Sequence, residues 1–87
     1  MAPCDVVFYT REGCHLCGVA LAVVLEVRRA RPFRLAVVDI DRDLGRGDRR
    51  FASYTEEVPV IEVMGRKAFK FRVDKAALER ALERAAT

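Results

Sequence analysis

Cys14 and Cys17 stand three residues apart in the stretch Y-T-R-E-G-C-H-L-C, and thiols at that spacing support only a few chemistries. They can close a disulfide, act as a redox pair, or supply half of a metal site. Cys4 is the third cysteine of the chain, so the count is odd and too small for a disulfide scaffold. In a reducing compartment a C-x-x-C pair points to catalysis or metal binding over a structural staple. A structural zinc site takes about four ligands, and Cys4, Cys14, Cys17 and His15 are the cysteines and histidine available. Two thiolates alone suffice for Cu(I).

The elements around the pair decide where it sits. Asp5 to Tyr9 (D-V-V-F-Y) is a β-branched and aromatic run, apolar on both faces, which predicts a buried central strand. After the polar turn T-R-E-G the periodicity becomes helical from His15 to about Ala30. Leu16, Val19, Ala20, Val23, Val24 and Val27 form the apolar stripe, Gly18, Ala22, Glu26 and Arg29 the solvent face, and Pro32 the stop. Phe33 to Ile40 predicts a second strand, again apolar on both faces, completing a right-handed βαβ unit with a parallel pair.

Arg42 to Tyr54 is charged and sparsely apolar. It reads as a short second helix weakened by Gly45 and Gly47, with Leu44, Phe51 and Tyr54 as its core contacts. Val60–Met64 and Ala68–Phe71 read as strands of a hairpin through Gly65-Arg66-Lys67. Asp74 caps a final helix with Ala77, Leu78, Ala81, Leu82 and Ala85 on its apolar side. The expected fold class is therefore α/β, in the order β-α-β-α-β-β-α. A four-stranded mixed sheet carries helices on both faces, within one domain over residues 1–87.

On that architecture Cys14 ends the loop after the first strand and Cys17 lies in the first turn of the first helix. Unpaired N–H groups and the positive end of the helix dipole favour an anion there. Cysteines so placed have pKa values lowered to between about 3.5 and 7.5. Cys14, at the outer edge, is the expected nucleophile, and Cys17, one turn inward, the thiol that resolves a mixed disulfide. His15 either adds positive charge or a hydrogen bond near the Cys14 sulfur, or is a solvated histidine at a helix start. Leu16 reads as a core residue. In E-E-V-P-V-I-E-V, Pro59 interrupts an apolar β-like run, where it removes a ladder donor. Trans, Pro59 simply starts the third strand. Cis, the Val58-Pro59 bond leaves the Val58 backbone to pair with an extended peptide-like substrate beside Cys14.

Other patterns carry less. Asp39, Asp41 and Asp43 alternate as in a calcium loop, but Gly45 arrives one position late and Arg50 replaces the bidentate glutamate. Arg46-Gly47-Asp48 matches the integrin-recognised tripeptide by chance. The arginines are interleaved with acids, and the net charge of +3 is small, so a solvated face is expected and no nucleic acid. Cys4 reads as a small buried or edge residue. Met-Ala-Pro leads into the first strand with no basic region or cleavage site, and a cytoplasmic location is expected. Val19 to Leu25, the longest apolar run, is too short to span a bilayer, so no membrane partner is expected. The chain is expected to be a monomer.

Y-T-R-E-G-C-H-L-C, the βαβ unit, V-P-V and the closing hairpin plus helix together resemble a glutaredoxin-like protein of the thioredoxin superfamily, over essentially the whole chain. The thioredoxin signature W-C-G-P-C is absent, and the small bacterial glutaredoxin-like proteins are the nearer likeness. The resemblance implies a thioredoxin-like fold and a dithiol thiol–disulfide oxidoreductase, with Cys14 as nucleophile and Cys17 as resolving cysteine. It further implies that Tyr9, Thr10 and Arg11 form a substrate-binding segment whose basic residue meets a glutathione carboxylate. Pro59 would be the cis proline and Val58 the residue offering backbone hydrogen bonds to substrate.

One stretch departs from the family pattern. In the family a glycine pair and the acidic residue after it hold the γ-glutamyl end of glutathione; here Phe69-Lys70-Phe71-Arg72-Val73 replaces the glycines, and Asp74 stands as the acidic, substrate-binding residue the resemblance implies. Without glycines, bulky side chains obstruct close backbone approach, so weak use of glutathione as a co-substrate is expected. F-R-V-D also resembles a stretch of the redoxins serving ribonucleotide reductase, which accept electrons from thioredoxin reductase. The expected partners are a disulfide-containing protein or a glutathione mixed disulfide, with glutathione or thioredoxin reductase as electron donor and no tightly bound cofactor. The alternative reading is a metal-handling module that binds Cu(I), or an iron–sulfur cluster bridging two protomers, through the same cysteines.

Overall fold

The computed structural model describes residues 4–86. Its elements are β1 (Asp5–Thr10), α1 (His15–Ala30), β2 (Arg34–Asp39), α2 (Arg49–Tyr54), β3 (Val60–Val63), β4 (Arg66–Lys70) and α3 (Lys75–Ala86). The strands lie in the order β2-β1-β3-β4. β1 runs parallel to β2, from Asp5 opposite Arg34 to Thr10 opposite Asp39, and antiparallel to β3, with Val6 opposite Val63 and Tyr9 opposite Val60. β3 and β4 are antiparallel. This is the expected α/β order and mixed sheet.

Successive side chains on a strand point to opposite faces, and that alternation builds two cores. Val6, Phe8, Ile61 and Val63 point to the face covered by α1 and α3, where they meet Val24, Val27, Leu78 and Leu82. Tyr9 and Val60 point the other way and meet Ile40, Leu44 and Tyr54 beneath α2. Helices thus cover both faces.

Three expectations need correction. The buried stripe of α1 is Cys17, Ala20, Val24 and Val27, whereas Leu16 and Val19 are 39% and 54% exposed. Each lies one residue, about 100° around the helix, from the stripe's centre line. Leu16 is therefore a surface residue and not a core one. Second, β2 is not buried on both faces. It is the edge strand, and its Ala36 and Val37 are exposed. Third, α2 begins at Arg49 and not Arg42. Glycine costs a helix about 1 kcal/mol relative to alanine, and Gly45 and Gly47 both fall in the excluded stretch. Side chains there also capture backbone donors. Asp39 Oδ1 accepts from the N–H groups of Asp41 and Arg42, and Asp43 Oδ2 from that of Asp39. Such local bonds compete with helix formation. Asp48 then accepts the Arg50 N–H as the true N-cap.

The hairpin also shifts from the expected Gly65-Arg66-Lys67 turn: Arg66 already pairs with Val63 at the start of β4, and the turn is Met64-Gly65, both with positive φ (52° and 80°), the type I′ geometry that matches the twist of paired strands. Asp74 caps α3 as expected, its Oδ2 accepting the Ala77 N–H at 3.0 Å.

Candidate functional site

The site grows from the end of β1. Gly13, at φ +82°, turns the chain, and Cys14 follows as the N-cap of α1 with extended backbone angles. Its Sγ accepts the backbone N–H of Cys17 at 3.1 Å. A cysteine here does what serine or aspartate does at other helix starts, satisfying one of the orphan donors of the first turn. Cys14 and Cys17 are joined as a disulfide with Cα atoms 5.2 Å apart. Cys14 is half-buried, while Cys17 is 3% exposed within the α1 core stripe. An external sulfur therefore has access to Cys14 far more than to Cys17. The Cys14 sulfur thus faces an N–H donor of the helix's first turn.

The Val58-Pro59 bond is cis. Because Tyr9 pairs with Val60, Pro59 lies across from the end of β1, where the loop to Cys14 departs. Pro59 is buried, Val58 is half-buried, and the Pro59 carbonyl accepts the Phe71 N–H at 2.8 Å. Phe71 has φ +66°, a left-handed conformation unusual for a bulky residue. It occupies the stretch where the sequence lacks glycines. Phe71, Arg72 and Val73 line one wall of a groove of about 280 Å³, and Leu16, Val19 and Ala20 of α1 line the other. Leu16 and Val19, displaced from the α1 core, thus line a groove along the first turns of the helix that Cys14 caps.

The remaining expected site residues lie as follows. His15 is exposed as the first residue of α1. Asp74 is exposed at the start of α3, one oxygen engaged in its cap. Tyr9 is 1% exposed, edge-on to Tyr54 on the α2 face. Its hydroxyl donates to Glu62 Oε1 at 3.0 Å and accepts from Arg50, and Tyr54 donates to Glu62 Oε2 at 2.8 Å. Burial, foremost, pushes both phenols above their ordinary range. Tyr9 is in this respect a core residue with no surface for a substrate. The single acid in the apolar run V-I-E-V was the signal that Glu62 needs internal partners.

Arg11 is held on two sides. Its Nε and one terminal nitrogen donate to the two oxygens of Asp41, at 2.9 and 2.8 Å. The guanidinium also donates to the Thr55 carbonyl at 2.6 Å and to the Thr55 hydroxyl at 2.9 Å. The Arg11 hydrogen bond holds the Asp41 carboxyl below its usual range. A depressed folded-state value means that this stabilisation is present above the unfolded pKa and is lost as pH falls through the folded one. We expect Asp41→Asn to flatten the acid side of the stability profile below about pH 4, measured by urea unfolding across pH. An unchanged acid limb would show that the ion pair does not contribute.

Among the described residues no group of three or more His, Cys, Asp or Glu is arranged to hold a metal ion, and no helix is long and apolar enough to cross a membrane. Cys4 is a free, partly buried thiol facing the Leu82 carbonyl at 3.8 Å.

No curated protein matches the chain. Among solved structures, a protein of Nitrosomonas europaea is similar at 26% identity and TM-score 0.76, over 94% of each chain. A protein of X. campestris is similar at 28% identity and TM-score 0.69, over 91% of this chain and 96% of that one. A mutant thioredoxin from Halobacterium salinarum, at 17% identity and TM-score 0.73, covers 99% of this chain with 77% of its own and shows the shared thioredoxin-like fold. That fold, with Cys14 and Cys17 at disulfide distance, fits thiol–disulfide oxidoreductase chemistry. The model of the glutaredoxin-like domain (DUF836) matches residues 5–83, and the chain belongs to that family.

Proposed function

We propose that the protein is a dithiol oxidoreductase that reduces disulfides of proteins. The observation that carries this reading is Cys14 as N-cap, its sulfur bound to the Cys17 N–H while Cys17 is buried behind it. The Cys14 thiolate attacks one sulfur of a substrate disulfide, forming a mixed disulfide and releasing the other sulfur as a thiolate that takes a proton. Cys17, deprotonated, then attacks the Cys14 sulfur, closing the Cys14–Cys17 bond and releasing the second substrate thiol. Two electrons pass to the substrate, and a reductant must return them.

The groove beside the pair supports a protein substrate over glutathione. Leu16, Val19 and Phe71 are exposed apolar side chains on its walls, and exposed apolar clusters mark protein contacts. Phe71 fills the stretch where close backbone approach to a small peptide needs glycine. Thioredoxin reductase is the expected electron donor. The test offers the oxidised protein glutathione and, separately, thioredoxin reductase with NADPH, following reduction of the Cys14–Cys17 bond. We expect the flavoenzyme to reduce it and glutathione to do so poorly. Robust turnover in a glutathione-coupled mixed-disulfide assay would overturn the substrate assignment. Copper–thiolate or iron–sulfur absorbance in the purified protein would favour a metal-handling role instead.

A further inference from the structure

We infer that Arg11 is a positioning residue for the Cys14–Cys17 pair: clamped by Asp41 and Thr55, it fixes the loop that presents Cys14. The inference rests on the dithiol reading above, and it turns on what each end of Arg11 holds. Its backbone carbonyl accepts the Cys14 N–H at 3.3 Å, closing the turn from residue 11 to 14. Its side chain makes the four hydrogen bonds to Asp41 and Thr55. One residue thus ties the cysteine loop to two other segments.

Both anchors are themselves fixed. The Asp41 N–H is held by Asp39 Oδ1. Thr55 is the C-cap of α2, its N–H bound to the Phe51 carbonyl at 3.0 Å. The Thr55 carbonyl is among those a helix end leaves without an intrahelical partner, where a cation is favoured. Thr55 also starts the short segment that leads to Val58-Pro59. The clamp therefore joins the loop carrying the nucleophile to the segment carrying the cis proline.

Geometry favours this role over direct capture of a substrate carboxylate. A guanidinium has five N–H donors in a planar fork, and four are aimed at Asp41 and Thr55. The Asp41 pair is bidentate, the strongest arrangement available to arginine. The Arg11 side chain is 31% exposed, so screening by water is only partial. An incoming carboxylate would have to displace Asp41.

Three roles for Arg11 predict different signs. A clamp requires both partners, so removing either loosens the loop and weakens the hold of the Cys17 N–H on the Cys14 sulfur. A purely electrostatic role requires only the positive charge. Arg11→Ala would then disfavour the thiolate, whereas Asp41→Asn, which removes a neighbouring negative charge, would favour it. A carboxylate-binding role touches neither and changes only the KM for a carboxylate-bearing substrate.

The test measures Cys14 alkylation by iodoacetamide, one pH unit below the midpoint of the wild-type alkylation profile, in the Cys17→Ser background, for Arg11→Ala, Arg11→Lys, Asp41→Asn and the Arg11→Ala/Asp41→Asn double variant. With each hydrogen bond to a charged group contributing on the order of one pH unit to the thiolate, Arg11→Ala and Asp41→Asn should each slow alkylation about tenfold. The double variant should be no slower than Arg11→Ala, because one clamp is lost once. Arg11→Lys should rescue only in part, since an ammonium is a point charge that cannot span Asp41 and Thr55 as a fork does. Faster alkylation in Asp41→Asn, or wild-type rates in both single variants, would overturn the clamp. Circular dichroism checks each variant's fold, and Asp41→Asn carries the test if Arg11→Ala does not fold. Alkylation requires no substrate turnover. A wild type unable to reduce disulfides would therefore refute the proposed function and still leave the clamp with its own answer.

Discussion

Cys14→Ser is expected to reduce no disulfide, while Cys17→Ser is expected to attack once and stop. The two outcomes follow from the different environments of two thiols only 5.2 Å apart at their Cα atoms. A serine hydroxyl at position 14 can still cap α1 by accepting the residue 17 N–H, as serine does at many helix starts. The fold therefore survives, and what disappears is the thiolate nucleophile. In insulin reduction driven by dithiothreitol, Cys14→Ser should fall to the uncatalysed background. Cys17→Ser keeps the more accessible, half-buried nucleophile and loses the buried thiol that releases the product. It should accumulate a mixed disulfide with its substrate, visible as a mass addition removed by reductant. Wild-type turnover in Cys14→Ser would dispose of the mechanism. Trapping by Cys14→Ser in place of Cys17→Ser would reverse the two roles.

The site was legible where local chemistry specifies it. α1 starts at His15 and ends at Ala30 as its periodicity and Pro32 require. The capping role of Asp74 follows from its place before an apolar helical stripe. The cis state of Pro59 was one of two alternatives, because the local run V-P-V accommodates both. Arg11 was legible only as a basic residue near the cysteines. Its partners lie 30 and 44 residues away, in the β2–α2 loop and at the end of α2, and no local pattern links them. The left-handed Phe71 was equally hidden, since nothing in a phenylalanine signals positive φ. The missing glycines marked that stretch as unusual without saying what its backbone does.

The central and edge strands read alike in sequence, both as continuous apolar runs, and the structure separates them sharply. Phe8 on β1 is fully buried in the cluster that also contains Cys17, Leu78 and Leu82. Val37, its register partner on β2, is 49% exposed. Truncating a buried phenylalanine to alanine costs about 3–5 kcal/mol. An 87-residue chain has a total stability of roughly 4–13 kcal/mol. Phe8→Ala should therefore remove a large share of it and lower Tm by on the order of 20 °C. Val37→Ala should stay within about 0.5 kcal/mol of wild type. Urea unfolding of the two variants makes the comparison, with equal slopes confirming that the midpoints report stability. Equal losses at both positions would mean that β2 is covered in solution by something beyond this fold. A small loss at Phe8 would mean that the core beneath the cysteines is not packed as described. Because Phe8 acts through packing, whatever Phe8→Ala protein remains folded at low temperature should still form the Cys14–Cys17 bond, which separates the loss of the scaffold from the loss of the chemistry.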